Sequence, residues 1–88
     1  MAKHIMQFKN MNGFTTEYHL LDGKFHRENG PAVITEDNKE WYVNGVHHRA
    51  DGPARMNSKT RQCYYYTDGK LMGGGVIDQI TFNKYWGK

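Results

Sequence analysis

Aliphatic side chains are scarce in this chain. Ile, Leu and Val number 11 among 88 residues, too few for a deep core. A chain this short also buries only roughly 60–65% of the surface its unfolded form exposes. The length admits one domain, residues 1–88, and excludes a large α/β enzyme fold. Cysteine is limited to Cys63, which excludes a disulfide framework. No apolar run approaches the ~20 residues that a membrane-spanning helix needs, so membrane insertion is not expected. No charged-then-apolar stretch opens the chain, so a reducing cytoplasmic setting is the expectation. Charge of either sign is modest, a net +3, so repulsion does not account for a missing core. What the chain holds instead is 4 Phe, 6 Tyr, 2 Trp and 10 Gly. Large amphipathic rings and frequent turns take the place of aliphatic bulk.

Self-comparison finds a repeat. Gly23-Lys24-Phe25-His26-Arg27-Glu28-Asn29-Gly30-Pro31-Ala32 returns 22 residues later as Gly45-Val46-His47-His48-Arg49-Ala50-Asp51-Gly52-Pro53-Ala54. A decayed third copy begins at Gly69, two residues later than the period predicts, so an insertion lies between Ala54 and Gly69. Each copy follows a turn dipeptide, Asp22-Gly23, Asn44-Gly45 or Asp68-Gly69. Such pairs favour type I′ hairpin turns, whose two central residues need positive φ. The runs before them, Thr15–Leu21, Glu40–Val43 and Arg61–Tyr66, read as strands, as do Ala32–Thr35, Ala54–Asn57 and Ile5–Phe8. Pro31 and Pro53 lack an N–H for a sheet ladder and suit loops. The expected fold is mainly β: an antiparallel meander of β-hairpins with a period near 22. Its units run from about 14–32, 33–54 and 55–72. Residues 73–88 form a terminal cap, in which Gly73-Gly74-Gly75 reads as a flexible break. A short helix follows, N-capped by Asp78 and presenting residues 77, 80, 81 and 85 to the sheet.

The pattern Gly-x-x-His-Arg-x-x-Gly-Pro-Ala after an aromatic strand and an Asn-Gly or Asp-Gly turn resembles MORN-type repeats. Within that group it is similar to the variant of small bacterial and phage proteins, over about residues 14–72. The resemblance implies scaffolds and binding surfaces, not a single enzyme class. The third unit departs from it, with Met72-Gly73-Gly74 where His-Arg is expected.

Residues kept in both copies most economically serve the fold: Gly23, His26, Arg27, Gly30 and Pro31, then Gly45, His48, Arg49, Gly52 and Pro53. His26 and His48 are expected to brace loops and pair with Glu28 and Asp51. His47 and His48 are adjacent and so face opposite ways on a strand. Cys63 reads as a small buried hydrophobe. No cofactor and no metal site is expected. An N-terminal Ala-Lys-His, exposed if Met1 is removed, is a minor alternative for square-planar Cu(II) or Ni(II).

Charge differs between equivalent hairpins. Ala32–Val43 carries Glu36, Asp37, Lys39 and Glu40, whereas Ala54–Tyr66 carries Arg55, Lys59 and Arg61 and ends in Tyr64-Tyr65-Tyr66. Cations beside rings can pair phosphates and stack bases. They can equally anchor a protein interface. The candidate binding set is therefore Arg55, Lys59, Arg61, Tyr64, Tyr65 and Tyr66. There is no phosphate loop, nucleophile elbow or paired-carboxylate setting, so an enzyme is not expected. The leading expectation is a non-enzymatic binding protein. The resemblance implies a phage-type accessory factor that inhibits a host protein, such as a defence component or a toxin, with RNA contact as an option. A single-stranded RNA or DNA binder is the alternative, and a structural or membrane-associated repeat scaffold a further one. Open strand edges also allow homo-oligomers.

Overall fold

A computed structural model describes residues 2–87. In chain order its strands are β1 (Lys3–Lys9), β2 (Thr15–Leu21), β3 (Lys24–Phe25), β4 (Val33–Ile34), β5 (Asn38–Glu40), β6 (Tyr42–Val43), β7 (Val46–His47), β8 (Arg55–Asn57), β9 (Gln62–Thr67) and β10 (Lys70–Val76). One helix, α1 (Gln79–Trp86), follows. The main sheet runs β1-β2-β4-β5-β8-β9-β10, with β3 paired to β2, and β6 and β7 form a two-stranded sheet of their own. Every pairing is antiparallel. The fold is thus the expected mainly-β meander of hairpins with a short C-terminal helix.

The turn dipeptides have the conformation their composition demands. Asp22, Asn44 and Asp68 sit at φ 51°, 50° and 49°, and the glycines after them at 81°, 84° and 82°. Left-handed backbone at both central positions twists the chain to match the flanking strands. The two-residue insertion falls in the β8–β9 hairpin. There the Asn57 side chain accepts from the Lys59 and Thr60 N–H groups, and Arg61 turns left-handed at φ 58°.

Cross-strand partners share a face, so the register divides the sheet into two surfaces. One holds the core: Trp41, Ala54, Met56 and Cys63, roofed by Phe82 of α1. Tyr85, Trp86 and Ile77 pack around it, and Tyr66 of β9 reaches it as well. The other surface has no helix over it. The molecule is accordingly a slab, 37 × 34 × 17 Å, which is what a short chain with few aliphatics can build.

Three local expectations change. The predicted strand Glu40–Val43 breaks at Trp41, whose N–H continues the β5–β8 register to the Ala54 carbonyl at 2.7 Å while its carbonyl turns to the β6–β7 hairpin and accepts from His48 at 3.0 Å. Gly73–Gly75 is not a break but part of β10, paired with Tyr65, Tyr64 and Cys63. Its central glycine is required sterically: a Cβ on Gly74 would lie 2.7 Å from the Cys63 carbonyl oxygen and 2.8 Å from the Tyr64 ring. The helix buries Phe82 with Tyr85 and Trp86 beside it, a set spaced i, i+3, i+4. Ile80, expected on the sheet, is 85% exposed. Asp78 does cap the helix, accepting from the Thr81 N–H at 2.9 Å.

Candidate functional site

The repeated residues form a brace that recurs. Arg27 donates to the Pro31 carbonyl at 3.2 Å and Arg49 to the Pro53 carbonyl at 3.0 Å. His26 Nδ1 accepts from the Asn44 N–H at 3.0 Å, and His48 Nδ1 accepts from the Asp68 N–H at 3.1 Å. Each histidine thus holds the left-handed turn of the next hairpin. An accepting Nδ1 leaves the ring proton on Nε2. His26 lies 3.7 Å from Glu28 as expected, but the carboxylate beside His48 is Asp68, not Asp51. Asp51 instead pairs with Arg49 at 3.2 Å, because the Arg49 side chain folds back under its own loop. These residues are engaged in the scaffold.

The helix-free surface carries a continuous row of rings. Phe8, Tyr18, Phe25, Tyr42, His47 and Tyr66 follow one another at centroid spacings of 6.0, 5.7, 5.2, 4.1 and 4.7 Å. All are half-buried except Phe8, which lies exposed at one end. Leu71, opposite Tyr66 in the register, lies exposed at the other.

Within this row sits a polar cluster around Glu40. Its Oε1 is 2.8 Å from His47 Nε2, 3.4 Å from Arg55 Nε and 3.3 Å from the Tyr42 hydroxyl, which donates to it. Burial of the phenol, reinforced by the Glu40 charge, pushes the Tyr42 pKa up to about 12. Counting back 22 residues, Glu40, His47 and Arg55 fall on Tyr18, Phe25 and Val33. Three apolar positions of the first unit have therefore become one hydrogen-bonded cluster in the second. Comparing the two copies for differences, instead of identities, would have found it in the sequence.

The sequence-derived set divides on the structure. Arg55, Tyr64 and Tyr66 share the aromatic surface, with the Arg55 guanidinium 5.5 Å from the Tyr64 ring. Tyr65 alternates to the opposite side, as β9 requires. Lys59 lies in the exposed β8–β9 turn, 3.6 Å from Asp37. Arg61 donates from Nε to the Ile77 carbonyl at 3.0 Å, tying β9 to the segment before α1. The opposite charges of the two hairpins therefore meet, Glu40 with Arg55 and Asp37 with Lys59, because β5 and β8 are sheet neighbours. Sequence distance hid this pairing.

Cys63 is buried, and burial pushes its thiol pKa up, away from a reactive thiolate. Among the described residues no three His, Cys, Asp or Glu side chains gather to hold a metal ion. No helix among them is long and apolar enough to cross a membrane. Two clefts, of about 490 and 350 Å³, open along the His-Arg loops. Neither is lined by Glu40 or His47. No protein-family model, curated protein or solved structure matches this chain.

Proposed function

We propose that this is a non-enzymatic binding protein whose partner is another protein, docked on the aromatic surface. The carrying observation is Glu40, which neutralises Arg55 at the centre of that row. A surface for single-stranded nucleic acid needs several free cations beside its rings. Here Arg55 and Lys59 each face a carboxylate and Arg61 is held by a backbone carbonyl. What remains is a near-neutral layer of Tyr, His and Phe with one Arg, the composition that anchors protein interfaces. The resemblance to small phage and bacterial repeat proteins supports the narrower reading, an accessory factor that binds and inhibits a host protein in the cytoplasm.

The test uses exposed residues at the two ends of the row, which leave the core intact. Full-length chain is incubated with nuclease-treated host extract, beside Phe8→Ser and Leu71→Ser. The expected result is one stoichiometric protein captured by the unaltered chain and lost from both variants. In parallel, a labelled single-stranded oligonucleotide is titrated at several salt concentrations. Tight binding that weakens steeply with salt, or capture indifferent to both substitutions, overturns the reading. The first of those outcomes favours nucleic acid.

A further inference from the structure

The internal repeat shows what occupies the core side of the second unit, and so what chemistry its counterpart in the first unit accepts. In the second unit α1 lies on that face. Phe82 packs on Trp41, Ala54 and Met56. Arg49 stacks 3.9 Å over the Trp41 ring and donates from Nη2 to the Tyr85 carbonyl at 3.0 Å. Lys39 donates to the Trp86 carbonyl at 2.8 Å. Gly52 is bare because a Cβ would stand 2.8 Å from the Tyr85 ring. Helix C-terminal carbonyls lack partners within the helix, and two cations of the second unit take them.

Counting back 22 residues, Trp41, Ala54, Met56, Arg49, Gly52 and Lys39 become His19, Ala32, Ile34, Arg27, Gly30 and Glu17. The first unit thus keeps the arginine, the glycine and the alanine. Arg27 itself packs over Gly30, 3.1 Å from where a Cβ would stand, and Ala32 is buried, so the open part of this face is formed by Ile5, His19 and Arg27. Arg27 uses Nη1 for the Pro31 carbonyl and His19. Its Nε and Nη2 have no protein partner among the described residues and no buried polar atom is unsatisfied, so both reach solvent. The 350 Å³ cleft adjoins this face at His19 and Arg27 and extends over Ile5, His26 and Glu28; Glu17 stands outside it. Ile5, opposite His19 in the register, is 58% exposed. The spacing also fits. Each unit adds two strands to the sheet, ~9.6 Å at ~4.8 Å per strand, and packed helices lie ~8–10 Å apart.

One change between the seats selects the occupant. Lys39, which takes a carbonyl in the second unit, is Glu17 in the first. A hydrogen bond from Gln7 at 2.6 Å holds this carboxyl below its ordinary range, so it is an anion. At that corner a bare carbonyl would be repelled and a cation attracted.

We propose that the core-side face of the first unit binds the C-terminal turn of an aromatic, amphipathic helix from a partner protein. Arg27 takes the terminal carbonyls and Glu17 a Lys or Arg in the last turn. The site lies on the opposite side of the sheet from the aromatic row and stands or falls independently of it.

The probes are two blocked peptides of residues 76–88, one unaltered and one carrying Trp86→Lys, each titrated into isotope-labelled full-length protein. Amide shifts are expected at Ile5, Glu17, His19, Arg27 and Asn29. The lysine peptide should bind about fivefold more tightly, the worth of roughly one exposed-to-intermediate ion pair. Glu17→Lys should erase that preference, and Arg27→Ala should weaken both peptides. Shifts confined to Trp41, Arg49 and Met56, meaning that the peptide merely displaces α1, overturn the proposal. So do the absence of shifts up to ~1 mM peptide, the weak limit of useful affinity, and a preference indifferent to Glu17. A free chain that is dimeric, and made monomeric by Arg27→Ala, would assign the seat to a second copy instead and equally overturn it.

Discussion

His48 and His26 act as acceptors, and that single role explains why both copies keep them. Each ring takes the N–H of a left-handed turn residue in the following hairpin. His48→Ala should therefore loosen one junction while leaving each hairpin intact, at a cost of about 1 kcal/mol in unfolding free energy. Urea denaturation measures it, and a cost near zero would show that solvent replaces the ring. Tyr42 offers a second residue-level check. Its phenol has a folded-state pKa of about 12 against an ordinary 10.0. The unfolded chain thus loses this proton first. The stabilisation is complete below pH 10 and is lost as pH rises from there through 12. Burial pushes the Tyr65 hydroxyl up as well, so tyrosinate absorbance should show more than one late group, and Tyr42→Phe should remove the Tyr42 share of it. Glu40→Gln should bring the late titration earlier, because the nearby charge opposes ionisation.

At the level of elements, α1 decides how well the sheet is covered. Phe82 is only 2% exposed and supplies the roof over Met56 and Cys63. Phe82→Ala should cost about 3–5 kcal/mol, as expected for a large ring removed from a packed core. A loss below 1 kcal/mol, about that of an ordinary surface change, would mean that α1 contributes little. The helix start depends on Asp78, whose carboxyl is held below its ordinary range by hydrogen bonds from the Thr81 N–H and hydroxyl. A lowered folded-state pKa stabilises above the unfolded value and is lost as pH falls through the folded one. Helicity should therefore decline first on acidification below about pH 4, and Asp78→Asn should flatten that acid limb in far-ultraviolet circular dichroism. The glycine run of β10 makes the complementary point. Gly74→Ala should disrupt the β9–β10 pairing, since the added methyl would meet a backbone carbonyl that cannot move aside.

The whole molecule resolves the shortage of aliphatic residues by being thin. A slab 17 Å across buries one shallow layer under α1 and leaves a second layer of rings half-open. The net charge of +3 is spread by pairing of neighbouring hairpins, so long-range attraction to polyanions should be weak. Reversing Asp37 and Glu40 together to Lys would expose the basic hairpin. Retention of the variant protein on a polyphosphate matrix should then rise well above that of the unaltered chain. Equal retention would show that the pairing does not mask Arg55 and Lys59.

The sequence by itself determined the hairpins, their period and their turns, because Asp-Gly and Asn-Gly steps and alternating rings act through local backbone sterics. It also led to the expectation that His26, Arg27, His48 and Arg49 serve the fold, since both copies keep them. Tertiary structure decided the rest. Only sheet order brings Glu40 against Arg55 and Asp37 against Lys59, turning two opposite charge patches into one neutral surface. Only the docking of α1 decides that Phe82 is buried and Ile80 is not, because an eight-residue helix has no face until something packs against it. Only the fold shows that α1 seats on the second unit and not on the first, where Arg27 and Glu17 stay half-buried. Contacts between residues far apart in the chain depend on register and packing, which local propensity does not encode.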